Sequence, residues 1–289
     1  MLETNEQLKK SDIIAELRLH TNEYMTYKDA IESAQKQSML MVGITNEFTG
    51  TGERVAQQKE IRKLYDIHER LSRFSDENGI RTISGVEIHI GHKYTSLEPL
   101  KDIQIRVAVL DELYWGVIRQ DIESLKREIK DLIDRGYINV IASPEKKMDL
   151  LNNGKYREGI TQALKEYYQW LVNYCKKNKV LLEVCEETLW KNEGGDFERL
   201  VYWTKLAKDN NNPIIVSSNA YITNEVGNLE RAVEFLNWIE YPKSLIVNTS
   251  TKQMKLLFPE RYEVSRKSRV QEILEKEIQH QKGNLHEFA

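Results

Sequence analysis

"DIIAELRL" (12–19), "TYKDAIESAQKQS" (26–38) and "MLMVGIT" (39–45) follow one another along the chain. The first and third are short, apolar and β-branched, which is strand character; the second carries apolar residues at helical spacing. Two short strands joined through a helix predict parallel pairing, because a parallel pair needs a long crossover. The same alternation continues. Strands are predicted at 81–90, 103–110, 138–143, 180–185 and 213–218, and helices at 52–78, 121–136, 156–178, 196–210 and 228–240. Seven strands separated by helices predict an α/β fold, a distorted (β/α)7 TIM-like barrel rather than an open sheet.

No proline-rich, glycine-rich or low-complexity linker interrupts residues 12–258, so they are expected to form one barrel domain. Residues 259–289 are expected to be a C-terminal helical extension, with Val270, Ile273, Leu274 and Ile278 at helical spacing within 265–283. Packing of that helix on the barrel is the simpler expectation; binding of a partner is the alternative.

The 289 residues are 40% hydrophobic and 30% charged, with a formal net charge of −3. This suits a folded globular chain, and near-neutrality disfavours nucleic acid as a partner. No apolar run approaches the roughly 20 residues that span a bilayer, so no membrane partner is expected. "MLETNEQLKKSD" lacks the apolar core of a signal peptide, and the two cysteines, Cys175 and Cys185, make no disulfide framework. A cytoplasmic location is expected.

Barrels of this kind carry their chemistry at the C-terminal ends of the strands. Alternation along "AELRLHT" (15–21) predicts Glu16, Arg18 and His20 on one face. The next strand ends offer Asn46 and Glu47, then Glu87 and His89, then Arg119, Ser143, Glu183 with Cys185, and finally Ser218, Asn219 and Tyr221. His89 and His92 are read as rim residues. Cys185 is read as a core thiol, and Tyr167, Tyr168, Trp170 and Tyr174 as a packed helix face. Tyr114 and Trp115 are read as packing residues near the rim. Ser143 has no histidine base beside it in the sequence reading and is not expected to be a nucleophile.

The order of these strand-end motifs resembles the PHP (polymerase and histidinol phosphatase) superfamily, in particular its stand-alone phosphoesterases and the PHP domain of bacterial X-family DNA polymerases. "ELRLHT" stands against the family's D-L-H-x-H-T, "GITNE" against I-T-D-H, and "SGVEI" against G-x-E-x. "YWGVIR" stands against G-S-V-H, "ASPE" against H-P, and "SSNAY" against S-D-A-H; "SLIVNTS" (244–250) is similar to a late family segment. The resemblance covers residues 12–258. It implies a distorted barrel that holds up to three metal ions and hydrolyses phosphoesters.

At most of the ligand positions the resemblance implies, this chain departs from the family. Arg18 and Arg119 stand at histidine positions, Asn46–Glu47 at Asp–His, Ser143 at a histidine, and Asn219 and Tyr221 at the last Asp and His. His20, Glu47 and Glu87 are the residual candidate metal ligands. A guanidinium has no lone pair to donate and stays charged, so it opposes a divalent ion beside it. Arg18 and Arg119 are expected to project into the pocket and pair with Glu16, Glu47 or Glu87.

No catalytic residue is therefore assigned, and no cofactor is expected; the alternative is a single zinc or manganese ion. The functional expectation is a PHP-like pseudoenzyme that binds a protein partner or a small phosphate-bearing ligand. The alternative is a metal-dependent, histidinol-phosphatase-like phosphoesterase with a reduced metal site.

Overall fold

Each strand lies parallel to the next, as strands joined by long crossovers do. The computed structural model describes residues 7–48, 59–67, 69–70, 79–91, 94, 96–110, 121–146, 148, 160–191 and 195–258. The strands are β1 (Ala15–Leu19), β2 (Met41–Phe48), β3 (Arg81–Ile90), β4 (Ile105–Leu110), β5 (Val140–Ile141), β6 (Leu181–Cys185) and β7 (Ile214–Ser217), and they pair in that order. The helices are α1 (Tyr27–Lys36), α2 (Ile122–Asp134), α3 (Gln162–Asn178), α4 (Glu186–Lys191), α5 (Asp196–Asp209), α6 (Glu230–Trp238) and α7 (Thr251–Leu257). Residues 59–67 are also helical. The anticipated TIM-like α/β barrel is what forms. The expected tail helix, Arg119 and the Tyr114–Trp115 pair lie outside the described residues.

Local chemistry sets the helix starts. Thr26, Asp121 and Thr161 each accept a hydrogen bond from the backbone N–H three residues on, closing one orphan donor per helix. In α2, Ile122, Leu125, Ile129 and Ile133 form the buried stripe. The structure differs from the sequence expectation in two places. The strand expected at 138–143 shrinks to the two residues of β5, and "EETLWK", which lies between the strand predicted at 180–185 and the helix predicted at 196–210, forms α4.

The strands bury both faces, as parallel strands between helices must. Outward residues such as Val42, Ile44, Val86, Ile88, Leu182 and Val184 pack with the helices. Tyr167 and Tyr168 of α3 are fully buried there, with Trp170 and Tyr174 packed beside them, as the helix-face reading requires. Inward residues Ala15, Leu17, Met41, Ile83, Ile105 and Leu181 make a second cluster with Met254 and Phe258 around α7. Arg81, at the start of β3, donates to the Phe258 carbonyl at 2.7 Å, which places this plug at the N-terminal end of the barrel. The C-terminal end is left as the mouth.

The barrel closes between β1 and β7 largely through side chains. At the top, Leu19 bridges to Ala220, and His20 N–H donates to the Ala220 carbonyl at 3.0 Å. Lower down, Asn248 fills the gap. Its Nδ2 donates to the carbonyls of Ala15 (2.9 Å) and Val216 (2.8 Å), and its Oδ1 accepts from Val216 N–H (3.1 Å). Asn248→Ala strands these buried groups and is expected to cost about 3 kcal/mol, read as a lower urea midpoint with an unchanged denaturant slope.

Candidate functional site

The mouth is organised by an irregularity in β1. The β1–β2 register steps from Glu16↔Val42 to Leu19↔Ile44, so one extra residue sits on β1. Such a bulge re-aims the side chains that follow it. Leu17 faces the lower interior cluster and Arg18, next in sequence, also faces inward. Strict alternation does not hold, and Glu16 does not share a face with Arg18 and His20. Gly43 lies opposite the bulge. A Cβ there would come within 2.6 Å of the Leu17 carbonyl oxygen, so only glycine admits this backbone.

Arg18 is 7% exposed and lies between two buried carboxylates. Its Nε donates to Glu87 Oε1 at 2.5 Å and its Nη1 to Glu183 Oε2 at 3.0 Å. Ser217 Oγ donates to the other Glu183 oxygen at 2.6 Å. Burial alone would raise the Glu87 carboxyl, but the Arg18 charge and His20 overcome it and hold Glu87 far below the usual carboxylate range.

His20 Nε2 lies 3.1 Å from Glu87 Oε1 and 2.9 Å from Asn219 Oδ1. Both are acceptors, so this nitrogen carries the proton. Asn219 Nδ2 donates to Glu187 Oε2 (2.9 Å), which also receives Lys146 Nζ at 2.7 Å. Tyr221 stacks on the His20 ring with centroids 4.2 Å apart and planes 5° from parallel. Ser143 and Asn219 hold φ values of 41° and 56°, left-handed conformations of the kind that gather at functional sites.

Glu16 occupies the β1–β7 seam. It accepts from Ser218 N–H at 3.1 and 3.2 Å and from Leu17 N–H at 3.1 Å, bracing the bulge. Burial pushes its carboxyl up to about 7, against the pull of these hydrogen bonds.

Of the residues anticipated from sequence, Arg18, His20, Glu87 and Asn219 form one connected network, with Tyr221 stacked over it. Arg18 pairs with Glu87, one of the three expected partners, but not with Glu16 or Glu47. Asn46 lies at the edge, accepting from Thr21 Oγ1 at 3.3 Å. Ser143 is buried, and its Oγ makes no hydrogen bond among the described residues. Cys185 is a buried thiol, pushed up to about 12 by burial.

Four participants were missed as site residues. Glu183 was visible as a lone charge in "LLEVC", and His89 as the residue two beyond Glu87. Lys146 and Glu187 carry no sequence signal; only the fold brings them together.

A metal cluster of the kind the family resemblance implies does not fit these residues. Arg18 holds the carboxylate that would bridge two ions, and Ser143, Asn219 and Tyr221 replace acidic or imidazole donors. One smaller donor group is present among the described residues. Ligand atoms of Glu47, Glu87 and His89 all lie within 4.8 Å of one another. Two carboxylates and an imidazole suit zinc or manganese.

No family profile matches the chain. Among curated proteins, it is 24% identical over 180 residues to a probable phosphatase of Clostridium novyi (strain NT), spanning 61% of this chain and 67% of that protein. It is 23% identical over 181 residues to a probable phosphatase of Thermoanaerobacter sp. (strain X514), again 61% and 67%. Among solved structures, histidinol phosphate phosphatase from Lactococcus lactis, complexed with zinc, L-histidinol and phosphate, aligns with a TM-score of 0.51 at 11% identity. That alignment covers 78% of this chain and 94% of that one. A chain of archaeal ribonuclease P bound to mature tRNA aligns with the same score at 15% identity, covering 83% and 90%. The chain is PHP-like in fold, as the strand-end motifs implied.

Arg18→Met would leave Glu87 and Glu183 buried without their counter-ion and is expected to cost about 3–5 kcal/mol, measured by urea unfolding at pH 7. Glu16 supplies a pH dependence. It ionises near 4.5 when exposed and near 7 in the fold. The native chain therefore binds that proton more tightly. The stabilisation is complete below pH 4.5 and is lost as pH rises through 7. Unfolding free energy is expected to fall across this window by an amount of order 3 kcal/mol from Glu16. Buried Glu145, also pushed up to about 7, adds to the same slope. Glu16→Gln should flatten the profile in part, leaving the share due to Glu145.

Proposed function

We propose that this chain is a PHP-like barrel that acts by binding, with Arg18 as a built-in cation where the family resemblance implies metal ions. The observation that carries this reading is the buried Arg18–Glu87–Glu183 ion pair. Hydrolysis by a metal cluster needs metal-generated hydroxide and a metal clamp on the phosphate. A guanidinium can supply charge but not hydroxide. The presence of this fold in a ribonuclease P assembly as well as in a phosphatase supports a reading in which the barrel need not be hydrolytic.

Charge favours a protein partner over a free phosphate. At the mouth Glu87 and Glu183 pair with Arg18, Glu187 pairs with Lys146, and Glu47 adds a further, exposed carboxylate. Around it, Tyr24, Tyr221 and Ile222 expose apolar surface on the loops after β1 and β7, which Asn22 ties together through the Tyr221 carbonyl at 3.0 Å. An acidic mouth with an aromatic rim suits a basic or polar segment of a partner.

A second reading is a phosphoesterase with a reduced, one-ion site, favoured by the Glu47–Glu87–His89 group and by the names of the curated relatives. An ion there would polarise a phosphoryl oxygen or a bound water. The test is hydrolysis of p-nitrophenyl phosphate and bis(p-nitrophenyl) phosphate with added manganese or zinc. The expected outcome is no turnover above a protein-free control. Metal-stimulated turnover that disappears in Glu87→Gln would reject the binding reading and establish the second.

A further inference from the structure

We infer that the turn 143–146 is a proton-operated latch: it holds the Lys146–Glu187 pair at the mouth while the buried Glu145 carboxyl carries a proton, and loosens that pair when the proton leaves. The inference concerns how the mouth responds to pH. It goes beyond the binding function proposed above and involves no metal ion.

Two dipeptides build the latch. Glu145–Lys146 follows β5, Glu187–Thr188 lies on α4, and the two are joined twice. On the mouth side, Lys146 Nζ donates to Glu187 Oε2 at 2.7 Å. On the helix side, Thr188 Oγ1 donates to Glu145 Oε1 at 2.8 Å. One peptide unit separates the two links on each segment, so movement at one is felt at the other. The inner link continues through Asn219, which donates to the same Glu187 oxygen, to His20 and Glu87. Two further helices hold the turn from behind. Tyr168 of α3 donates to the Pro144 carbonyl at 3.4 Å. From α5, Arg199 Nε donates to the Glu145 carbonyl and Trp203 Nε1 to Glu145 Oε2, both at 3.0 Å.

The surroundings of Glu145 favour its acid form. It is fully buried, and the Thr188 hydroxyl and Trp203 indole that meet its carboxyl are both neutral. Arg199 is bound to the Glu145 carbonyl and to Asp196, and Lys146 to Glu187. Asp196, the Tyr168 phenol and the Cys185 thiol also face this corner, and none of them is a cation. Burial under these conditions disfavours the charged form. It pushes the carboxyl up to about 7, against the pull of the hydrogen bonds and of Lys146. An indole can only donate, so Oε2 stays an acceptor and the proton sits on Oε1, where the Thr188 hydroxyl turns to accept it.

Loss of that proton leaves a buried charge that water can reach only if the turn opens. The turn is poised to move. Ser143 holds a left-handed φ of 41°, and its buried hydroxyl makes no hydrogen bond among the described residues. Ionised Glu145 also competes with Glu187 for Lys146. Opening therefore exposes the Glu187 carboxylate at the mouth as pH rises.

The test is hydrogen exchange of the full-length chain by NMR over a pH series, each rate corrected for its intrinsic pH dependence. The Lys146 N–H, bonded to the Ser143 carbonyl at 3.0 Å, reads the turn; the Ile129 N–H, inside α2, reads global unfolding. The Lys146 ammonium protons read the inner link. The Glu145 carboxyl ionises near 4.5 when exposed and near 7 in the fold. Opening linked to its proton should therefore rise about tenfold per pH unit between those values and level off above them. Protection of the Lys146 N–H is expected to fall on that profile and to stay below that of Ile129, with ammonium exchange accelerating in parallel. Glu145→Gln mimics the protonated acid and should give slow, pH-independent exchange at both Lys146 groups. Thr188→Val, which removes the outer link alone, should accelerate both at least about fivefold at low pH, and it decides the matter if thermal unfolding shows Glu145→Gln to be unstable. The inference is overturned by a flat wild-type profile, by a profile that persists in Glu145→Gln, or by a turn that opens only with the whole fold. Ammonium exchange that does not follow the amide, or unchanged exchange in Thr188→Val, also overturns it.

Discussion

A permanent positive charge with almost no access to water has to be answered by the groups around it, and Arg18 is such a charge. Removing a guanidinium from solvent costs several kcal/mol unless carboxylates meet it in good geometry. Glu87 on β3 and Glu183 on β6 do so from opposite parts of the barrel, and Ser217 on β7 holds Glu183 in place. One side chain thereby joins β1, β3, β6 and β7 at the mouth. The ion pair is not needed to make a barrel, which the apolar layers already provide. It decides what the mouth contains.

Placing Arg18 there depends on the β1 bulge, and the bulge depends on its neighbours. Gly43 leaves room for the displaced Leu17 carbonyl, while Glu16 ties the bulged backbone to Ser218 across the seam. Below, Asn248 supplies the amide and carbonyl that the widened β1–β7 gap lacks. The features that close the barrel and the feature that charges its mouth are therefore one connected arrangement. A near neutral carboxyl at Glu16 is consistent with this, since the seam offers it backbone donors but no cation.

The chemistry of the mouth follows from its pairings. Arg18 engages Glu87 and Glu183, His20 engages Glu87 and Asn219, and Lys146 engages Glu187. Ligand atoms of Glu47, Glu87 and His89 lie within 4.8 Å of one another. A tethered guanidinium thus answers two of the carboxylates of the mouth directly. The shared fold with a zinc-complexed phosphatase and with a ribonuclease P chain fits a scaffold whose function is set by such replacements at strand ends.

The sequence by itself determined the architecture, because alternating strand and helix signals admit few solutions once parallel pairing and short connections are imposed. It also indicated that a guanidinium meets a carboxylate at the mouth, since Arg18 and Glu87 each lie near the end of a predicted strand. Only the tertiary structure decided the partners. Simple alternation puts Glu16 beside Arg18, and the bulge between them separates their faces. His20 meets Glu87 on β3 and Asn219 in the loop after β7, partners far apart in the chain. Lys146 and Glu187 meet across more than forty residues of chain. Contacts of that kind depend on where whole elements pack, and no local pattern of residue types encodes them.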